Sequence, residues 1–96
     1  MKNKRREALI ITMEECGELI QACSKVIRTM QGTATQSVTK RWRDKLVDEV
    51  GDVVCMIEIL KMAELVTDQE IEIRKEVKKR KLEKWSSIFD DRIRED

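Results

Sequence analysis

No proline interrupts this chain, and its two longest apolar stretches, residues 4–30 and 40–65, carry their apolar side chains at helical spacing. That pattern confines the chain to long helices. The first helix is expected from about Lys4 to Met30, with Leu9, Ile10, Ile11, Met13, Leu19, Ile20, Ala22, Val26 and Ile27 spread over most of its circumference. A polar, glycine-containing segment at 31–39 reads as a loop. The second helix is expected over about Lys40 to Leu65, anchored by Trp42, Leu46, Val50, Val53, Val54, Ile57 and Leu60. Thr67-Asp68-Gln69-Glu70 has the form of a capping box and opens a third helix that runs to about Trp85. Ser86-Ser87 leaves room for a short C-terminal helix or turn holding Ile88 and Phe89, and residues 92–96, all charged but Ile93, are expected to fray.

The fold class is therefore all-α: a single domain over 1–96, with three main helices and a possible short fourth. Three such helices do not cover the first one, which is apolar nearly all round. Homo-oligomerisation, as a homodimer or homotetramer sharing a helical core, is the expected remedy.

Two acidic clusters interrupt the apolar stretches. Glu14-Glu15-Cys16-Gly17-Glu18 lies in the first, and Glu49-Val50-Gly51-Asp52 in the second. At about 100° per residue, Glu14, Glu15 and Glu18 fall within an arc of about 100°, and Glu49 and Asp52 lie about 60° apart. Ile10, Ile11 and Ala22 share the first arc, and Leu46, Val53 and Met56 share the second. Carboxylates on an apolar face are costly unless a positive charge compensates them. Two such faces opposed form an oxygen-only cage, which suits a hard divalent cation. The competing reading is a solvated acidic helix face, but few lysines or arginines stand one turn away to neutralise these acids.

Composition narrows the chemistry further. The net charge is +1, which gives no general bias toward nucleic acid or membrane, and no run is long and uncharged enough to span a bilayer. Lys2 to Arg6 leads straight into an amphipathic helix, so no secretory signal is seen. Three cysteines, an odd number without a Cys-x-x-Cys pair, point to a reduced, cytoplasmic setting and to small buried apolar groups. The chain has no histidine, which argues against zinc and against a di-iron bundle built on Glu-x-x-His pairs. The basic stretch 74–84 contains no recognisable nucleic-acid reading motif.

Glu-Glu-x-x-Glu at 14–18, followed by Lys45-Leu46-Val47-Asp48-Glu49-Val50-Gly51-Asp52-Val53-Val54, resembles the motif pair of the all-α nucleoside triphosphate pyrophosphohydrolases, the MazG-like superfamily. The resemblance covers about Ile10 to Leu65, with Asp48 where the family usually has Glu. Lys78 to Trp85 is a weaker match to the ending of compact, phage-type members.

The resemblance implies a Mg²⁺-dependent hydrolase, with Mn²⁺ as a substitute, that splits a nucleoside triphosphate into monophosphate and pyrophosphate. By position it makes Glu15, Glu18, Glu49 and Asp52 the metal ligands. Glu14 is left either to orient or deprotonate the attacking water, or to accept a hydrogen bond behind the ligands. Candidate substrate contacts are Lys45, Lys81 and Lys84 for phosphates and Trp42 and Trp85 for the base. Lys45 is equally placed to pair with Glu49, and each tryptophan to anchor a core or interface. A non-enzymatic helical dimerisation module and a phosphoribosyl-ATP or dUTP pyrophosphatase are the alternatives.

Overall fold

A computed structural model describes residues 2–90 and is all-helical, with no strand among those residues. Helix α1 spans Lys2–Met30, α2 spans Gln36–Met62 and α3 spans Asp68–Trp85. The chain divides into two compact units, Met1–Leu65 with α1 and α2, and Val66–Asp96 with α3.

In the first unit α1 and α2 pack as an antiparallel hairpin, and its seam has heptad spacing. Ala8, Thr12, Glu15, Leu19, Ala22, Val26 and Thr29 are the buried or half-buried positions along α1, joined by Lys25. On α2 the matching run is Trp42, Leu46, Glu49, Val53, Met56 and Leu60. Alternating steps of four and three keep one stripe of each helix against the other. Ala8, Ala22 and Met56 are the fully buried apolar residues among those described. The seam threonines satisfy their hydroxyls on their own helix, Thr12 donating to the Ala8 carbonyl and Thr29 to that of Val26, both at 2.7 Å.

Both ends of the hairpin are fastened. At the loop end Thr35 caps α2, its hydroxyl accepting the Val38 N–H at 3.3 Å. Gln36 to Thr39 therefore belong to the helix, where a loop was expected through residue 39. Their polar side chains serve the first turn: Thr39 Oγ1 donates to the Thr35 carbonyl at 3.0 Å. The other end closes in a Schellman motif three residues before the expected end at Leu65. Leu65 N–H bonds to the Leu60 carbonyl and Glu64 N–H to that of Lys61, with Glu64 at φ 60. Arg5, at the start of α1, donates to the freed carbonyls of Ala63 at 2.9 Å and Glu64 at 3.4 Å.

The second unit begins with the expected capping box. Glu70 N–H donates to Thr67 Oγ1 at 3.2 Å, and Thr67 N–H donates to Glu70 Oε1 at 3.0 Å. Ile71, Val77 and Leu82 are half-buried, while Trp85 is 77% exposed. Beyond α3 the chain makes a turn in place of a fourth helix. Ile88 N–H bonds to Ser86 Oγ and Asp90 N–H to the Ser87 carbonyl. The fraying expected at 92–96 lies outside the described residues.

Candidate metal centre in the helical hairpin

Glu15 and Glu49 occupy seam positions, where a leucine or valine would satisfy the heptad pattern. Glu49 is 2% exposed and is the one buried charged residue among those described. Glu18, one turn after Glu15, is exposed at the edge of the same seam. One carboxylate oxygen from each of the three lies within 4.8 Å of those of the other two. The antiparallel packing thus brings together acids thirty-one to thirty-four residues apart.

The two oxygens of Glu49 have different surroundings. Lys45, one turn earlier on α2, donates from Nζ to Oε1 at 3.1 Å. Oε2 is buried without a hydrogen-bond partner, and so is Oε2 of Glu15. A buried carboxylate oxygen with no donor is unusual, and here two belong to residues of one acid cluster, which favours a positive charge beside them. Burial pushes the Glu15 carboxyl above its ordinary range, and the charges of Glu18, Asp52 and Glu49 and a hydrogen bond with Glu18 push the same way. The Lys45 ammonium is pushed upward by its hydrogen bond to Glu49, then by that carboxylate's charge, with burial opposing.

Asp52 is outside the trio, but its charge is among those that raise Glu15. Glu14 is exposed on the neighbouring face of α1, in a groove with Asn3, Arg6, Glu7, Ile10 and Ile11, and is not one of the three clustered carboxylates. Lys45 makes the ion pair that its spacing allowed. Trp42 is half-buried two turns from Glu49, with Lys25 Nζ and the Arg41 guanidinium each 5.4 Å from its ring centroid. Lys25 was missed in the sequence, since its place beside Trp42 depends on the hairpin register. Lys81, Lys84 and Trp85 are exposed on α3 in the second unit, and Lys84 Nζ lies 5.0 Å from the Trp85 centroid.

Cys16, Cys23 and Cys55 are free, but all three are exposed, contrary to the burial expected. A two-helix seam simply has no second side to cover them. The apolar cleft of about 540 Å³ lined by Lys4, Arg5, Ala8, Ile59, Met62, Ala63 and Glu64 lies at the end of the hairpin away from the loop and shares no residue with the acid cluster. No helix among the described residues is long and apolar enough to cross a membrane.

The set of donors is all oxygen, charged and held on two rigid helices. That set suits Mg²⁺ or Mn²⁺ and offers nothing to a metal that needs nitrogen or sulfur. No family model, curated protein or solved structure matches the chain.

Proposed function

We propose that this chain is a Mg²⁺-dependent nucleoside triphosphate pyrophosphohydrolase, releasing a nucleoside monophosphate and pyrophosphate in the cytoplasm. The observation that carries this reading is the pair of partnerless buried oxygens, Glu15 Oε2 and Glu49 Oε2, inside a trio of clustered carboxylates. Glu15, Glu18 and Glu49 would hold the cation, with Asp52 beside them. Mg²⁺ there would reverse the local charge, draw in phosphate oxygens and make a coordinated water more acidic. Lys45 fixes the Glu49 carboxylate through Oε1 and leaves Oε2 free for the cation. Glu14 has the exposure needed to take a proton from an incoming water or to orient it. Lys45, one turn from the acid cluster, is assigned to the phosphates.

The assembled form is proposed to be a homodimer or homotetramer. Met13, Ile20 and Ile27 repeat at heptad spacing on α1 outside the seam, and Val47, Val50 and Val54 form a second stripe on α2. All six are exposed, Met13 to 73%. Gly17 and Gly51 each cost about 1 kcal/mol in mid-helix relative to alanine, yet a Cβ at either would meet nothing within 4 Å. A second copy approaching these faces would use that space.

The same stripes favour the rival reading, a helical dimerisation module whose acids are a polar layer. One experiment separates them: pyrophosphate release from a mixed pool of ribo- and deoxyribonucleoside triphosphates with Mg²⁺, with products identified. The expected result is metal-dependent release that Glu18→Gln and Asp52→Asn abolish while helicity persists. Release from no triphosphate, or full activity in either variant, overturns the assignment.

A further inference from the structure

Charge changes sign within two turns of the hairpin. From Glu49 toward the loop, α2 presents Lys45 one turn on and then Arg41 and Trp42, while α1 carries Lys25 to the Trp42 ring. Neither Lys25 nor Arg41 has a carboxylate partner among the described residues. Asp44, the acid closest to Arg41 in sequence, is engaged by Lys40 at 2.7 Å. On the α2 side, a cleft of about 380 Å³ lined by Arg41, Trp42, Asp44, Lys45 and Asp48 runs from Arg41 to Lys45. Two cations gathered on one ring repel each other, and cation–π attraction is weak where water has access. An anion between them would relieve that repulsion.

We propose that Lys25 and Arg41 hold the terminal phosphate of a polyphosphate chain whose inner phosphates lie at the Glu15, Glu18 and Glu49 cluster, with Lys45 between. The substrate then lies with its phosphate tail toward the hairpin loop. This rests on the metal-dependent reading of the acid cluster, and it adds the direction of the substrate and a requirement for chain length. Seven residues separate Glu18 from Lys25 and Trp42 from Glu49, a rise of about 10 Å along the helices. A single phosphate at the acids cannot also reach Lys25 and Arg41. A chain of three, met by extended lysine and arginine side chains, spans the gap. Asp48 on the cleft wall is exposed, so its charge is screened.

Trp85→Phe leaves Trp42 as the sole tryptophan, and Trp85 is exposed enough for the change to spare the fold. That protein, with Mg²⁺, is titrated with inorganic tripolyphosphate, pyrophosphate and orthophosphate while Trp42 emission is followed. Tripolyphosphate should alter the emission and bind at least about tenfold tighter than orthophosphate, as expected for added charge-assisted contacts. Combining Lys25→Ala with Arg41→Ala should weaken tripolyphosphate binding about tenfold or more and leave Mg²⁺ affinity, measured by calorimetry, unchanged. Lys25→Gln keeps the stem against Trp42 and should lose the same discrimination with unchanged helicity. A silent Trp42, equal affinity for ortho- and tripolyphosphate, or unaltered binding in the double variant overturns the proposal. Failure to hydrolyse nucleotides with an intact tripolyphosphate response would sink the nucleotide reading alone. Hydrolysis with a silent Trp42 would sink this one alone.

Discussion

Glu49→Gln isolates the charge of the one buried carboxylate, because glutamine keeps its shape and volume. Without metal, three effects compete. The charged part of the Lys45 contact is lost, and since the Lys45 side chain is 52% exposed, screening limits this to about 1 kcal/mol. The new amide N–H₂ would occupy the place of partnerless Oε2, and leaving it without an acceptor costs about 1 kcal/mol or more, unless Glu15 or Glu18 accepts from it. Against these stands repulsion within the trio. At 4.8 Å a fully ionised pair repels by about 3 kcal/mol at an effective dielectric of about 20. The value is smaller here because Glu15 holds its proton more readily than usual.

The terms nearly cancel, so the variant should melt within about 1 kcal/mol of the parent in EDTA, with the sign toward stabilisation. Mg²⁺ should then separate the two proteins. At a hundredfold excess over Kd the parent gains about 2.7 kcal/mol, roughly 10–20 °C in Tm for a domain of this size. The variant should gain under a third of that. Circular dichroism melts in EDTA and in Mg²⁺ make the measurement. A variant that keeps the full Mg²⁺ shift shows that Glu49 is no ligand. One that loses more than about 3 kcal/mol in EDTA shows a structural ion pair with Lys45 instead.

Glu15→Gln should raise the Tm of the metal-free protein near neutral pH and should not do so in acid. A carboxyl whose folded pKa lies above its unfolded one stabilises the fold below the unfolded value and loses that contribution as pH rises through the folded value. A variant-minus-parent difference that is flat with pH contradicts this. Glu64→Gly should stabilise the hairpin by about 0.5–1 kcal/mol, because φ 60 is strained for glutamate and free for glycine. A lower midpoint in urea would count against that account of the helix end. Sedimentation should find a two-fold dimer or a dimer of dimers, and a well-folded helical monomer at low micromolar concentration refutes the use assigned to the outer apolar stripes.

The acids were legible because apolar neighbours at helical spacing mark a face, and Glu15 and Glu49 broke that face where a hydrophobe was due. The Thr67–Glu70 box was legible because both partners of its hydrogen bonds are local in sequence. The end of α2 was not, because Leu65 continues the apolar pattern and the stop is made by a glutamate in a conformation that favours glycine. Gln36 to Thr39 misled for the opposite reason: first-turn residues are polar whether they cap a helix or avoid one. Cysteine exposure depends on how many partners surround a helix, which is a property of the packing. Lys25 carried no local signal, since its meaning comes from a tryptophan seventeen residues away across the loop.

The hairpin is pinned at both ends, by Thr35 at the loop and by Arg5 on the Ala63 and Glu64 carbonyls. This dictates which changes of length its descendants can survive. Residues added between Met30 and Thr35 only lengthen a surface connection, whose closure cost grows slowly with length. A single residue inserted between Arg5 and Glu15 turns every following side chain by about 100° and moves the acid off the seam. Seven inserted there restore the facing but shift Arg5 by about 10 Å from its carbonyls. Only a matched heptad in α2, between Glu49 and Ala63, brings both back into register. Homologues of this chain should therefore vary freely in the loop and change helix length, if at all, in paired sevens.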